Sequence, residues 1–170
     1  HFMSPEVIDS ALNSGITSIL GMGHGPNPQA KTDPSHLEDA IRGIEQYPVN
    51  VGFIGAGSTI SREAAIDLIE AGVCGLKIHE DHGAYPAIFE NILEVCEEYG
   101  VQLAFHTDSL NESGGLETTL SVIDGRTAHA YHVEGAGGGH IPDLLEVVEF
   151  EFLLTSSTNP TIPHTPSTRR

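Results

Sequence analysis

Basic residues are scarce in this sequence of 170 residues. Seven lysines and arginines stand against 24 aspartates and glutamates, which gives a formal net charge of −17. A nucleic-acid partner is bound through a basic surface, because the phosphate backbone is anionic. The charge balance therefore argues against a nucleic-acid-binding protein.

Long hydrophobic runs are also absent. A membrane-spanning helix needs about 20 consecutive apolar residues, whereas the apolar runs in this sequence are only a few residues long. The first residues do not form a basic start followed by an apolar stretch, so no secretory signal is predicted. With 39% hydrophobic and 18% charged residues, the composition fits a globular, cytoplasmic protein without a membrane partner.

Cysteine is nearly absent as well. Cys74 and Cys96 are the two cysteines, and their spacing matches neither a CxxC motif nor a disulfide framework. We therefore predict two buried free thiols.

Both ends of the sequence lack the features of a complete protein. The sequence opens on His1 and stops at Arg170 without a terminal element. A complete (β/α)₈ barrel needs about 250 residues. We expect the chain to be one incomplete domain, residues 1–170, cut from a longer protein.

Glycine and proline mark the ends of the predicted helices. Four helix-like stretches end at a glycine that precedes a strand-type run, and glycine favours the left-handed cap at that position. These glycines are Gly15, Gly72, Gly100 and Gly125. Prolines suited to a first helical turn are Pro5, Pro34, Pro86 and Pro142.

Six mainly apolar segments between these marks are predicted strands. They cover residues 16–21, 49–55, 74–79, 101–106, 126–132 and 152–156. Apolar residues at helical spacing lie between them, such as Ile66, Ile69 and Val73, or Ile88, Ile92 and Val95. Repeated strand–helix units predict a parallel sheet with right-handed crossovers. An open doubly wound sheet and a partial barrel both fit this count.

Polar residues at the strand ends favour the barrel. Lys77 and His79 lie in the last residues of one predicted strand, and His106 and His132 end the next two. Residues two apart in a strand point to the same side, so Lys77 and His79 should face the same space. A barrel brings the carboxyl ends of its strands together, as in TIM-type enzymes. We predict a partial TIM-type (β/α)₈ barrel.

Lys77 is the most unusual of these residues, because it interrupts an apolar run. A buried ammonium is costly, and burial lowers a lysine pKa so that a neutral amine becomes available. Such an amine can add CO₂ to form a carbamate, an anionic bridge for two metal ions. Neutral imidazoles from neighbouring strands are suitable further ligands. Each histidine alone is more often a hydrogen-bonded structural residue than a metal ligand, whereas the residues taken together favour a functional site.

Three segments carry a family resemblance: residues 75–81 (GLKIHED), 106–114 (HTDSLNESG) and 132–140 (HVEGAGGGH). They resemble the central part of the urease catalytic (alpha) subunit, and residues 156–161 (SSTNPT) resemble its continuation. The resemblance extends over nearly the whole chain. The resemblance implies a barrel of the metal-dependent amidohydrolase type. Other amidohydrolases share the lysine-bridged metal pair but lack the segments at residues 111–114 (NESG) and 135–140 (GAGGGH).

The resemblance implies a site with two nickel ions. Lys77 matches the carbamylated lysine that bridges both ions, His106 and His132 match ligands of one ion, and His1 matches a ligand of the other. His79 matches a residue that hydrogen-bonds the urea carbonyl oxygen. Gly137 matches a glycine whose backbone carbonyl faces the substrate amide.

The same resemblance implies hydrolysis of urea to ammonia and carbamate by a metal-bound hydroxide that attacks the carbonyl. It also implies other urease subunits, nickel-delivery accessory proteins and a homo-oligomer of heteromers. Further ligands would lie outside residues 1–170, so we expect this chain alone to be inactive.

Two departures weaken the inference of substrate. The segment at residues 21–30 differs from the family's usual loop, and His82 stands where tryptophan is common. We expect His24 and His82 to be solvated loop histidines. Two alternatives stay open: an amidohydrolase that acts on a cyclic amide or ureide with zinc, and a non-catalytic metal-binding paralogue. Ligand spacing does not separate nickel from zinc.

Overall fold

The computed structural model describes residues 5–22, 33–79, 82–106, 116–131, 133 and 145–156. In these ranges five α-helices alternate with six β-strands, and a 3₁₀ helix precedes the last strand. The elements are α1 Pro5–Asn13, β1 Ser18–Met22, α2 Pro34–Ile44, β2 Asn50–Ala56, α3 Arg62–Glu70, β3 Gly75–Ile78, α4 Pro86–Tyr99, β4 Gln102–His106, α5 Leu116–Ile123, β5 Ala128–Tyr131, the 3₁₀ helix Leu145–Glu149 and β6 Leu153–Ser156. All six predicted strands are confirmed, each within two residues of its predicted bounds.

The predicted helix ends are confirmed by backbone conformation. All four predicted glycines have positive φ, a conformation that side-chain-bearing residues rarely adopt. The φ values are 82° at Gly15, 111° at Gly72, 66° at Gly100 and 74° at Gly125. Each glycine therefore turns the chain from a helix towards the next strand.

Helix starts agree with the sequence where the structure describes them. Pro5, Pro34 and Pro86 are the first residues of α1, α2 and α4, while Pro142 lies outside the described residues. The Asp33 carboxylate accepts a hydrogen bond from the Ser35 N–H and caps α2. Helix α3 starts without a proline. Its first turn is capped by the Ser61 hydroxyl, which accepts a hydrogen bond from the Ala64 N–H.

The strand order identifies the architecture. All neighbouring strands are parallel, and they follow the order β1-β2-β3-β4-β5-β6. A doubly wound sheet reverses its order at a switch point, and no reversal occurs here. With crossovers of one hand, sequential order places every helix on the same face. Helix α4 packs against α3, α5, β3 and β4, as expected for the outer layer of a partial barrel.

The two faces of the sheet differ in composition. The face beneath the helices carries the core, including Leu76, Ile78, Leu103 and Phe105. The opposite, inner face has one residue of each strand at each level. One level is formed by Ala56, Lys77, Ala104, His129 and Leu154. The next level towards the carboxyl ends contains His106, Tyr131 and Ser156.

Core packing confirms most of the predicted helical spacing. Ile88, Ile92 and Val95 of α4 are buried against the sheet, as is Val73. In α3, however, Ile66 and Ile69 are only partly buried, and the fully buried residues are Ala65 and Leu68. Helix α3 therefore contacts the core through residues one position earlier than those predicted.

The thiol prediction is half right. Both cysteines are free, and Cys96 is buried in the core. Cys74 is exposed, contrary to the prediction, because it precedes β3 and lies at the amino-terminal end of the sheet. Its thiol still donates a hydrogen bond to the Phe53 carbonyl oxygen, at 3.1 Å.

The described helices include none that combines the length and apolar character needed to cross a membrane.

Candidate metal centre

Lys77 lies in the middle of the inner face, on β3. Its neighbours at the same level are Ala56 on β2 and Ala104 on β4, and these small side chains leave room for a long one. The Lys77 Nζ atom lies 4.3 Å from the centroid of the Tyr131 ring, on β5. The side chain therefore extends across β4, and it is half-buried.

The backbone of Lys77 is fixed by a close approach of Gly57. The Gly57 N–H donates a 2.7 Å hydrogen bond to the Lys77 carbonyl oxygen. A Cβ atom at position 57 would lie 3.2 Å from that oxygen, tighter than an ordinary contact. Glycine is therefore suited to this position, where the chain leaves β2.

His79 and His106 come together at the carboxyl ends of β3 and β4. Their ring centroids are 4.6 Å apart with planes tilted by 44°. The His106 side chain is buried, with 3% of its surface exposed, whereas His79 is half-buried. The two histidines therefore lie together at the end of β3 and β4, and the register places Lys77 on the same sheet face as His106.

Ser58 fixes the backbone of His79. Its hydroxyl accepts a hydrogen bond from the His79 N–H and donates one to the His79 carbonyl oxygen, each 3.1 Å long. One small hydroxyl thus satisfies both polar groups of a residue that lies just beyond the last paired position of β3. The sequence analysis did not identify Ser58, since no local pattern links it to a residue 21 positions later.

His129 and Tyr131 also belong to this inner face, and the sequence analysis missed both. Their rings lie 4.1 Å apart with planes tilted by 37°. The His129 Nε2 atom lies 3.0 Å from the Ser156 hydroxyl oxygen of β6. An available signal was their alternation with Ala128 and Ala130, which is typical of a strand with two different faces.

Burial and charge shift the pKa values of these two side chains. Burial lowers the pKa of His129 below its usual 6.5, and the positive charge of Lys77 lowers it further. Burial raises the pKa of Tyr131 above its usual 10, and Cys74 adds to this effect. Near neutral pH the site therefore contains a neutral imidazole and a neutral phenol beside Lys77.

The remaining predicted site residues lie outside the described part of the chain. They are His1, His132, Gly137 and the loop residue His24. His82 is described; it is exposed, as predicted, and its ring centroid lies 6.1 Å from that of His79. In the described ranges no group of three or more histidine, cysteine, aspartate or glutamate side chains is placed to hold a metal ion.

The residues present nevertheless have the chemistry that a metal pair requires. A buried imidazole at His106 is a nitrogen ligand already shielded from water. An amine at Lys77 points into the same inner space and could supply oxygen ligands after addition of CO₂. His106 is two residues along β4 from the partner of Lys77, so the two side chains are near neighbours on one face. The described part of the donor set therefore fits a metal site.

Comparison with known proteins gives two findings. Residues 1–166 match the family model described as the amidohydrolase family. The urease alpha subunits of Haloquadratum walsbyi and Natronomonas pharaonis are each 47% identical to the chain over 169 residues. The alignment covers 99% of this chain and 30% of each relative, so the chain spans less than a third of the length of these curated relatives.

Proposed function

The chain belongs to the amidohydrolase family, and from this premise we propose that it is the central part of a urease catalytic subunit, which hydrolyses urea to ammonia and carbamate. The observation that carries the proposal is the convergence of Lys77, His79 and His106 on the inner face of a sequentially ordered parallel sheet. The 47% identity to two urease alpha subunits supports the choice of substrate within the family.

The proposed cofactor is a pair of nickel ions bridged by a carbamate on Lys77. His106 and His132 would hold one ion and His1 the other. A metal pair, when bound, polarises the substrate carbonyl and supplies a hydroxide nucleophile near neutral pH. Burial of His106 favours its role, because the imidazole is already shielded from water that would compete for the metal.

The substrate would be oriented by groups that are not ligands. We assign His79 the hydrogen bond to the urea carbonyl oxygen and the Gly137 backbone carbonyl the contact with an amide group. The Ser58 hydroxyl keeps the His79 backbone in place through two hydrogen bonds. A fixed backbone limits the positions of the imidazole, and preorganised hydrogen-bonding groups are more effective than mobile ones.

The proposed whole protein is cytoplasmic and acts in an assembly. Its proposed partners are the other urease subunits and accessory proteins that deliver nickel and CO₂, and its proposed assembly is a homo-oligomer of heteromers. The urease alpha subunits that match this chain support these proposals by their names alone.

The test uses the full-length protein produced with nickel and bicarbonate. Metal content and ammonia release from urea are measured for the wild type, for Lys77→Ala and for His36→Ala. His36 is an exposed residue of α2 that contacts Asp33. The His36→Ala variant is therefore a control in which a side chain is removed away from the site. We expect two nickel ions per chain and urea hydrolysis in the wild type and in His36→Ala, and loss of both in Lys77→Ala.

Other results would replace the proposal. Bound zinc with turnover of a cyclic amide or ureide but not of urea would identify a different amidohydrolase. Metal binding without turnover of either substrate class would identify a non-catalytic paralogue. Full activity in Lys77→Ala would contradict the lysine-bridged centre itself.

A further inference from the structure

We propose that Tyr131 is a positioning residue for Lys77, with its ring face holding the lysine side chain in the place where a bridging carbamate is needed. The inference rests on the proposed function, because it concerns how the same site is assembled. It adds a residue that acts through Lys77 and that belongs to neither the ligands nor the substrate contacts assigned above.

The contact depends on three adjacent strands. Lys77 on β3 and His129 on β5 both pair with Ala104 of β4. The Lys77 side chain therefore crosses β4 above an alanine to place Nζ 4.3 Å from the centroid of the Tyr131 ring. A larger side chain at position 104 would stand in this path. The small residue leaves this path open, and the aromatic ring lies at its end.

The Tyr131 ring is itself held in place by contacts on the same sheet face that reach to β6. His129 lies 4.1 Å from Tyr131, ring to ring, and the His129 Nε2 atom is 3.0 Å from the Ser156 hydroxyl oxygen. Ser156 is the partner of Tyr131 on β6. The contacts thus form a continuous path from β6 through His129 and Tyr131 to Lys77, which limits movement of the ring.

The chemistry of the ring face suits both states of Lys77. The face carries negative charge density and attracts an ammonium group. Carbamate formation begins when the Lys77 ammonium loses one proton to solvent; the neutral amine nitrogen then forms a bond to the carbon of CO₂ and loses a second proton to solvent. The resulting anion is repelled by the ring face, so its oxygens turn away from Tyr131. The ring therefore restricts where the lysine nitrogen lies and on which side the carbamate oxygens lie.

The first experiment measures position in the metal-free, full-length protein. Lysines are converted to ¹³C-dimethyllysine, and the Lys77 signal is assigned with a Lys77→Arg variant. Residues 1–170 contain one other lysine, Lys31, and the Lys77→Arg spectrum separates the Lys77 signal from the signals of all other lysines in the full-length protein. A methyl group above an aromatic face is shifted upfield. We expect this shift in the wild type and in Tyr131→Phe, and its loss in Tyr131→Leu.

The second experiment measures nickel binding at saturating bicarbonate. Loss of the ring should weaken nickel binding by about fivefold, because a lysine side chain that is no longer held in place must be immobilised when the metal binds. Tyr131→Phe should stay within about twofold of the wild type, because it retains the ring. Saturating bicarbonate matters here: removing a ring that favours ammonium would by itself ease CO₂ addition, so weaker binding must reflect position.

A second variant avoids dependence on the fold of Tyr131→Leu. Ala104→Val keeps the ring but places two methyl groups between Lys77 and Tyr131, and we expect it to reduce both the upfield shift and the nickel affinity. A variant that merely unfolds would lose nickel capacity per chain; one that displaces Lys77 keeps the capacity and loses affinity.

The proposal is overturned if Lys77 shows no upfield shift in the wild type, or if Tyr131→Leu binds nickel as tightly as the wild type. Equal losses in Tyr131→Phe and Tyr131→Leu would also overturn it, since the hydroxyl rather than the ring would then be responsible. If the wild type binds no nickel, the proposed function fails, and the metal-free measurement still decides the position of Lys77.

Discussion

The rings of His79 and His106 lie 4.6 Å apart at the carboxyl ends of two adjacent parallel strands. Their surroundings differ: His106 is buried at the end of β4, and His79 is partly exposed beyond the end of β3. A buried imidazole suits a permanent ligand, whereas a partly exposed one can contact a substrate that enters and leaves. The division of roles that the family resemblance implies agrees with this difference in burial.

Replacing Ser58 with alanine tests how His79 is held. The variant loses both hydrogen bonds to the His79 backbone, and one hydrogen bond typically contributes about 1 kcal/mol. We expect urea hydrolysis by the full-length protein to fall by about tenfold in kcat/KM, the equivalent of about 1.4 kcal/mol. Nickel content should be unchanged, because in the described part of the chain the Ser58 hydroxyl bonds to the His79 backbone and to neither Lys77 nor His106.

The control for Ser58 is Thr59→Ala. The Thr59 hydroxyl accepts a hydrogen bond from the Ser61 N–H only within its own loop. The Thr59→Ala variant should keep kcat/KM within about twofold of the wild-type value, a difference below about 0.5 kcal/mol. Loss of nickel in Ser58→Ala would indicate a general disruption of the site and contradict the specific role of the serine.

Gly75 should not tolerate a side chain. A Cβ atom there would lie 2.6 Å from the Gln102 carbonyl oxygen of the neighbouring strand, and a backbone atom cannot move aside without disturbing the sheet. We expect Gly75→Ala to lower the free energy of unfolding by about 1–3 kcal/mol, measured by guanidinium chloride denaturation. Gly43→Ala is the matched control: its Cβ would meet nothing within 4 Å in α2. The control should gain about 0.5–1 kcal/mol. Equal stability of the two variants would contradict this packing.

His129 should make stability depend on pH in the mildly acidic range. Its pKa in the folded protein is lowered from 6.5, first by burial and then by the charge of Lys77. Above pH 6.5 the imidazole is neutral in both states and contributes no difference. As the pH falls below 6.5 the unfolded chain takes up the proton more readily, so the free energy of unfolding decreases until the folded pKa is passed.

The measurement compares denaturation curves between pH 7 and pH 5. We expect the decrease in stability to be smaller in His129→Gln than in the wild type. His36→Gln, at an exposed site on α2, shows what removal of a histidine does by itself. A wild-type slope that survives unchanged in His129→Gln would show that other groups cause it.

The two thiols should differ in reactivity. Burial raises the pKa of Cys96 to about 12, and the side chain lies in the core beneath α4. Cys74 is exposed, although partial burial also raises the pKa of its thiol. We expect iodoacetamide at pH 8 to modify Cys74 in the folded protein and Cys96 only after unfolding. A Cys74→Ser variant should therefore show no modification until denaturant is added, and rapid modification before that point would contradict the buried position.

The sheet could be predicted because its determinants are local. Glycines at positive φ such as Gly100 and Gly125 mark where a helix ends, and short apolar runs follow them. The choice of a barrel rested on a different kind of argument, the convergence of Lys77, His79 and His106 at one edge. The sequential strand order agrees with that choice.

The contacts around Lys77 could not be predicted in the same way. Its proximity to Tyr131 depends on the register of three strands, and no pattern within a single strand encodes that register. The Ser58–His79 hydrogen bonds likewise join two strand ends that are distant in sequence. Cys74 was predicted as a buried free thiol because it lacks CxxC or disulfide spacing, yet its place at the sheet end leaves it exposed.

The most direct test of the account is a crystal structure of the full-length protein grown with nickel and bicarbonate, with anomalous data at the nickel and zinc edges. The account predicts two nickel peaks on the inner face of the barrel, beside His106, with density for a carbamate extending from Lys77 Nζ between them. Zinc peaks alone, a single ion, or a pair of ions with an unmodified Lys77 turned away would contradict it.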